Sequence, residues 1–284
     1  MKPCGMKDLA DEIIVGMREA LPAALGTDSE WIWPVCVCGS YVRGDFIEGN
    51  SDLDFSIILQ PGMRDRGFRV WEIDSTPGGK AIRELVGSLL KGRTLCSHNP
   101  HGFDWVVVPW ESLPKSRSEI HLPNGAPHLP LFSIFLFDYI ENLEVLWGTD
   151  PRTILTDPLP FSVLAEAWFD SIPVSRQRHR DEGNECRIPF SAFKSIQIAQ
   201  VLFGEQTLDK RRLLELYQTH VPDFRLKQFG CQVIRDKMEQ KYPDKPCQFA
   251  PYDDYAAFED ELSQVVKQWL EGRSNKLEQA HSAD

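Results

Sequence analysis

The sequence predicts a small mixed α/β (α+β) domain followed by an all-helical bundle domain, and three observations support this fold class. Apolar, β-prone runs alternate with helical patterns over the first 110 residues, which is typical of a compact unit with a small mixed sheet. Prolines and glycines then interrupt any regular element in residues 111–130. Beyond residue 130 the apolar spacing is helical, and we expect no further strand there.

The first domain is placed at residues 1–115, with helices and strands in alternation. Its helices are inferred from apolar residues three or four positions apart, and its strands from short apolar runs bounded by glycine, proline or asparagine. In chain order the predicted elements are a helix at 7–25, a strand at 31–38, a short helix after Gly39 and Ser40, a strand at 53–59, a helix at 81–90 and a strand at 103–110.

The second domain is placed at residues 125–273 and is expected to be a bundle of amphipathic helices, each too short to be stable alone. Its helices are predicted at residues 131–146, 162–169, 190–203, 208–217, 229–241 and 255–270. The remaining residues, 274–284, are mostly polar and are expected to form a frayed tail.

The net charge of −11 is spread over both halves of the chain, whereas proteins that wrap nucleic acid normally present a basic field. An acidic surface instead suits a small or cationic partner. No run approaches the roughly 18 apolar residues that a membrane span requires, and the first residues lack the apolar core of a signal peptide. The seven cysteines are scattered, which favours reduced thiols. We therefore expect a cytoplasmic protein that does not bind membranes.

A glycine-serine turn and a pair of acids stand out between two of the predicted strands. Gly39 and Ser40 end one strand, and Asp52 and Asp54 begin the next. Acids at positions i and i+2 of a strand share a face, where they suit a cation such as Mg²⁺. The turn can offer N–H groups and a hydroxyl to phosphate. Together they indicate chemistry on a nucleoside triphosphate. The alternative is a solvated strand start in which Ser51 and Asp52 form a turn.

The stretch Gly39-Ser40-Tyr41-Val42-Arg43-Gly44, followed by Ser51-Asp52-Leu53-Asp54, resembles the signature of the DNA-polymerase-β-like nucleotidyltransferases. Within that superfamily it is most similar to the antibiotic (aminoglycoside-type) enzymes and their small relatives. The similarity covers roughly residues 31–110. It implies a minimal nucleotidyltransferase domain ahead of a helical bundle, the same order that the periodicity indicates. It also implies that a nucleoside triphosphate is a substrate, most often ATP.

The resemblance implies a third catalytic acid on a neighbouring strand, and Asp104 is the candidate. It interrupts an apolar run, where a charge is costly without a metal or a partner. The alternative is an edge-strand residue that faces water; Glu111 is a second candidate beyond Pro109. The family chemistry would then have Asp52, Asp54 and Asp104 hold two Mg²⁺ ions, with Asp104 also taking the proton from the attacking hydroxyl.

The resemblance also implies that residues of the turn bind the nucleotide. Ser40 and the N–H groups after Gly39 would bind the β and γ phosphates. Arg43 matches the basic position of the family motif, and it could steady phosphate or pair with Asp45 or Glu48.

Lys194 lies in the predicted helix at 190–203, and relatives carry a lysine on a bundle helix that reaches the triphosphate. An ordinary solvated lysine is the alternative. The basic run 176–180 stands out in an acidic protein and could contact a nucleotide or RNA, although most charge runs are exposed surface.

Three functions remain open at this point. The first is transfer of AMP from ATP to a hydroxyl of a small molecule, for example an aminoglycoside-like compound, with release of pyrophosphate. The second is nucleotidylation of a protein or RNA, as in toxin–antitoxin relatives. The third is a catalytically silent nucleotide-binding module, against which the three candidate acids argue.

Overall fold

A computed structural model describes residues 6–47, 51–60, 78–95, 103–109, 142–153, 160–185, 187–239 and 249–281. These residues divide into two compact units. The described residues up to 109 belong to the first unit together with 142–153, and those from 160 onward belong to the second. Within this described part of the chain, no helix has both the length and the apolar character needed to cross a bilayer.

The first unit alternates helices and strands as predicted, and each predicted end lies within two residues of the observed one where the structure describes it. Its elements in chain order are α1 (Met6–Leu25), a 3-10 turn (Gly26–Trp31), β1 (Ile32–Cys38), α2 (Ser40–Arg43), β2 (Leu53–Leu59), α3 (Gly79–Leu90), β3 (Phe103–Pro109) and β4 (Glu144–Gly148). A short 3-10 turn, Pro151–Thr153, follows the last strand.

The four strands form one mixed sheet in the order β3-β2-β1-β4. Strand β1 pairs antiparallel with β2 and with β4, whereas β2 and β3 are parallel. The core of the unit joins one face of this sheet to the apolar sides of α1 and α3. Because side chains alternate along a strand, Val37 and Phe55 lie in this core while Cys38 and Asp54 lie on the opposite face.

Strand β4 contradicts the prediction that no strand follows residue 130. The predicted helix at 131–146 is wrong for its last residues, and residues 131–141 lie outside the described part of the chain. The predicted helical domain at 125–273 therefore includes a strand that belongs to the first unit. Pairing with β1 determines the structure here. The pairing of β4 with β1 requires a glycine at position 148. Gly148 has a φ of 89°, and its missing side chain leaves space for the Trp33 carbonyl oxygen.

Every element that the structure describes in the second unit is a helix, as predicted. These helices are α4 (Phe161–Asp181), α5 (Arg187–Phe203), α6 (Leu213–His220), α7 (Lys227–Glu239) and α8 (Tyr252–His281). Helix α5 contributes the largest set of buried residues, among them Phe193 and Ile196, because it packs against α4, α6, α7 and α8. The fold class predicted from the sequence, a small mixed sheet followed by a helical domain, is thus confirmed.

Several helix boundaries in this unit differ from the prediction by three residues or more. The helix predicted at residues 162–169 differs most, because α4 continues to Asp181. Helix α6 begins at Leu213 and not at residue 208, since the Asp209 carboxylate accepts a hydrogen bond from the Arg211 N–H (2.9 Å). Such local bonds compete with helix formation. The tail predicted from Ser274 is helical up to His281, as an extension of α8.

A buried carboxylate joins three helices of this unit. Glu259 on α8 is 1% exposed and accepts hydrogen bonds from Ser191 Oγ (2.6 Å) and Ser195 Oγ (3.3 Å) on α5. Arg176 on α4 donates to it at 3.4 Å, and Trp168 Nε1 donates to Ser195 Oγ at 2.9 Å. Burial raises the pKa of Glu259 to about 7, although the Ser191 hydroxyl and the Arg176 charge act in the opposite direction.

We expect Glu259 to make the stability of the protein depend on pH. Its carboxyl group binds a proton more tightly when folded, so its contribution is fully present below an unfolded pKa of 4.5 and is lost as the pH rises through about 7. Glu259→Gln removes this titration. The variant should therefore lose less free energy of unfolding than the wild type between about pH 5 and about pH 8, as measured by urea denaturation.

Asp260→Asn provides a matched control, because Asp260 also pairs with Arg176 (3.0 Å) but its side chain is 55% exposed. The Asp260 charge is the smallest of the causes that act on the pKa of Glu259, so this control should keep most of the wild-type change in stability over the same pH range. If Glu259→Gln keeps that change as well, the pH dependence has another origin.

Candidate active site

The turn that follows β1 lies directly against the carboxylate of Asp54. Gly39 has a φ of 74° and a ψ of −150°, a conformation essentially restricted to glycine. A Cβ at this position would overlap Asp54 Oδ2 and would lie 2.9 Å from Asp54 Cγ. Both the backbone conformation and the close approach of the carboxylate therefore require glycine here.

A single helical turn continues from this glycine. Ser40, which is 3% exposed, begins α2, and the Arg43 N–H donates to the Gly39 carbonyl oxygen at 3.1 Å. Gly44 ends the turn in the left-handed conformation, and its N–H donates to the Tyr41 carbonyl oxygen at 3.3 Å. The segment proposed from the sequence to bind phosphate is thus a closed turn with a fixed backbone.

The acid pair follows a loop that is closed by a serine. The Ser51 hydroxyl accepts a hydrogen bond from the Ile47 N–H (2.9 Å), and the Ser51 N–H donates to the Ile47 carbonyl oxygen (2.8 Å). Asp52 comes next, and Asp54 lies on β2; both are half-buried. Ser51 is therefore a turn former, as the alternative interpretation expected, but Asp54 contacts the glycine turn, which that interpretation does not require.

The strand register aligns the third acid with the second. Asp54 pairs with Cys38 on β1 and with Asp104 on β3, so that Asp54 lies between the glycine turn and Asp104. The neighbours Phe55 and Phe103 are buried on the other face, with ring centres 6.4 Å apart. Asp104 is exposed, and β3 is the edge strand of the described sheet. Residues 39, 54 and 104 are thus brought to one end of the sheet.

The carboxylates are not close enough together to form a complete metal-binding site. Among the residues that the structure describes, no three His, Cys, Asp or Glu side chains lie close enough together to hold a metal ion. The chemistry of the donors nevertheless fits Mg²⁺, because Asp54 and Asp104 offer carboxylate oxygens on adjoining strands and Asp52 offers another just before β2. The assignment of Mg²⁺ to these residues stays a prediction.

Arg43 pairs with Asp45, one of the partners that the sequence suggested. Arg43 Nε donates to Asp45 Oδ1 at 3.2 Å; the Arg43 side chain is 9% exposed and that of Asp45 is fully buried. The other suggested partner, Glu48, and the second candidate acid, Glu111, lie outside the described residues. Nothing in the sequence indicated that Asp45 would be buried, although an acid two positions after an arginine is consistent with a pair.

Lys194, the remaining predicted site residue, lies on α5 in the second unit. Its Nζ is 5.4 Å from the centre of the Phe190 ring, at a distance where a cation attracts an aromatic ring. The assignment of Lys194 to nucleotide binding stays a prediction.

Two arginines of the basic run 176–180 form ion pairs within the helical unit. Arg176 pairs with Asp260 (3.0 Å) and Arg180 with Asp253 (2.6 Å), both on α8. Their charges are therefore balanced by carboxylates of the same unit, which argues against a role of these two arginines in contact with RNA.

No model of a known protein family matches the chain, and no curated protein sequence matches it either. Among solved structures, the fold is similar to that of the spectinomycin adenyltransferase AAD(9) from Enterococcus faecialis, solved with ATP and spectinomycin, with a TM-score of 0.53. The two chains are 14% identical, and the similarity covers 90% of this chain and 98% of the other. At this identity the similarity establishes the fold alone.

We expect Gly39→Ala to destabilise the protein more than Gly44→Ala does. Gly44 has a φ of 78°, and a Cβ added there would meet nothing within 4 Å, so alanine adds only backbone strain, about 1–2 kcal/mol. At Gly39 the overlap with the Asp54 carboxylate adds to that strain. Urea unfolding of both variants measures the difference, and an equal loss in the two would contradict the close approach.

Proposed function

We propose that this chain is a nucleotidyltransferase that transfers AMP from ATP to a hydroxyl of a small-molecule acceptor, such as an aminoglycoside-like antibiotic, and releases pyrophosphate. One observation carries the proposal. The Gly39 turn contacts the carboxylate of Asp54, which is in register with Asp104 on the next strand. A phosphate-binding turn and acids on two strands are what phosphate chemistry on a nucleotide needs at one place.

Two further observations support the donor and the acceptor. A protein of similar fold is named as a spectinomycin adenyltransferase, and its structure was solved with ATP and spectinomycin. This supports ATP as the donor and a small molecule as the acceptor. The net charge of −11 suits an acceptor that carries positive charge, as many aminoglycoside-like compounds do, better than it suits a nucleic acid.

In the proposed reaction the residues of the turn bind the triphosphate. Backbone N–H groups after Gly39 and the Ser40 hydroxyl bind its β and γ phosphates. Asp104, which is exposed, accepts the proton of the acceptor hydroxyl. The acceptor oxygen forms a bond with the α-phosphorus while the bond from that phosphorus to the bridging oxygen breaks. Pyrophosphate leaves with the bonding electron pair on that oxygen, and the acceptor carries AMP.

The acids would also hold two Mg²⁺ ions. Asp52 and Asp54 are half-buried, and together with Asp104 they supply the carboxylate oxygens that this ion prefers. When bound, Mg²⁺ offsets the negative charge of the triphosphate and of the leaving pyrophosphate. Because Gly39 packs against Asp54, the turn that would hold phosphate lies beside one of the carboxylates that would hold metal.

Incubation with Mg²⁺, ATP labelled at the α-phosphate and a panel including spectinomycin and aminoglycosides tests the proposal. Label should move to one of the small molecules. Asp54→Asn and Asp104→Asn should each lower the rate by about 100-fold or more, because each removes a carboxylate from the reacting centre. The transferred label is measured by chromatography of the small-molecule fraction.

Glu19→Gln is the control, since it makes the same chemical change at an exposed position on α1. Its rate should equal that of the wild type. Wild-type turnover in Asp54→Asn would remove the assignment of the acids. Label on a protein or RNA in place of a small molecule would overturn the proposed acceptor.

A further inference from the structure

Asp45 is a carboxylate with no exposed surface, and it lies one residue beyond the turn of the candidate site. Taking a carboxylate out of water is unfavourable unless a charged partner and hydrogen bonds replace its hydration. The structure provides such a partner in Arg43, whose Nε donates to Asp45 Oδ1 at 3.2 Å. The arginine side chain is itself only 9% exposed. This pair is therefore sheltered from solvent, unlike the many ion pairs at protein surfaces.

The pair is linked to the acids of the candidate site through short contacts. Gly44 has a φ of 78°, and this reversal lets residues 43 and 45 meet. The Arg43 N–H donates to the carbonyl oxygen of Gly39 (3.1 Å), and Gly39 packs against the Asp54 carboxylate. The Arg43 backbone is thus one hydrogen bond away from the residue that contacts Asp54.

A second anchor of the same turn differs in kind. The Tyr41 hydroxyl donates to Asp11 Oδ1 on α1 at 2.7 Å, and the Tyr41 ring meets Phe46 edge-to-face with centres 6.4 Å apart. That anchor connects the turn to its surroundings through a neutral side chain. Asp45 instead holds a guanidinium, and so it fixes where a positive charge lies beside the turn.

We infer that Asp45 is a positioning residue that orients the Arg43 guanidinium toward the triphosphate of the bound nucleotide, an inference that rests on the proposed function. A guanidinium is planar and has five N–H donors in a rigid arrangement. A bond to Nε therefore fixes the plane of the whole group and the direction in which its terminal N–H groups point.

Titration calorimetry with ATP and Mg²⁺ on the full chain tests this inference. The proteins are the wild type, Arg43→Gln, Asp45→Asn and the double variant. Each single variant should weaken ATP binding by about tenfold or more. The double variant should bind no more weakly than Arg43→Gln alone, since Asp45 acts through Arg43. Thermal unfolding of each protein is recorded alongside, because a merely structural role would lower the melting temperature and leave ATP affinity unchanged.

Asp11→Ala is the matched control, since it removes the acceptor of the Tyr41 hydroxyl, the other anchor of the turn. Its ATP affinity should stay within about twofold of the wild type. Wild-type affinity in Asp45→Asn, or losses in the double variant that multiply, would overturn the inference. If Asp45→Asn does not fold, the double variant compared with Arg43→Gln decides, because it removes both charges.

The wild-type titration separates this inference from the proposal on which it rests. A wild type that does not bind ATP overturns the proposed function and the role of Asp45 together. A wild type that binds ATP while Asp45→Asn binds it equally well overturns only the role of Asp45.

Discussion

Because Gly39 has no side chain, the carboxylate of Asp54 can lie against the backbone of the turn after β1. The other features of the candidate site depend on this approach. Asp54 is the acid that pairs with Asp104 in the strand register. The carbonyl oxygen of Gly39 accepts the hydrogen bond from the Arg43 N–H. Any atom inserted between the turn and β2 would therefore move both the acids and the arginine. The geometry follows from the packing of the Gly39 backbone against the Asp54 side chain.

Each unit also holds a carboxylate away from water, with different structural consequences. Asp45 and Arg43 are two residues apart, so their pair stabilises a single turn. Glu259 bonds to side chains from two other helices, and it fixes how those helices pack within the second unit. In both places a buried carboxyl group restricts the arrangement of its neighbours, because its hydrogen bonds replace the lost hydration only while those partners stay in position.

Local patterns in the sequence predicted most elements and the spacing of the site residues. Strands β1 and β2, the turn between them and the order of the two parts all follow from short-range periodicity and from glycine and acid positions. Strand β4 does not, since apolar residues three apart resemble a helix and its structure depends on pairing with β1. The burial of Asp45 could not be predicted either, because the exposure of a side chain depends on how the whole unit packs. The alignment of Asp104 with Asp54 could not be predicted, because it depends on the register between β2 and β3, and the sequence of one strand does not determine that register.

The position of β4 in the chain has a consequence for protein synthesis. Strand β1 meets β4 only after about a hundred further residues have been added, since Val37 pairs with Glu144. At ribosomal rates of roughly 5–20 residues per second, that interval lasts on the order of 5–20 seconds. Throughout it, one side of β1 has backbone hydrogen-bonding groups without their native partner, and such an edge can recruit strands from other nascent chains. The sheet is completed late, so this edge of β1 stays open to such pairing until β4 has been synthesised.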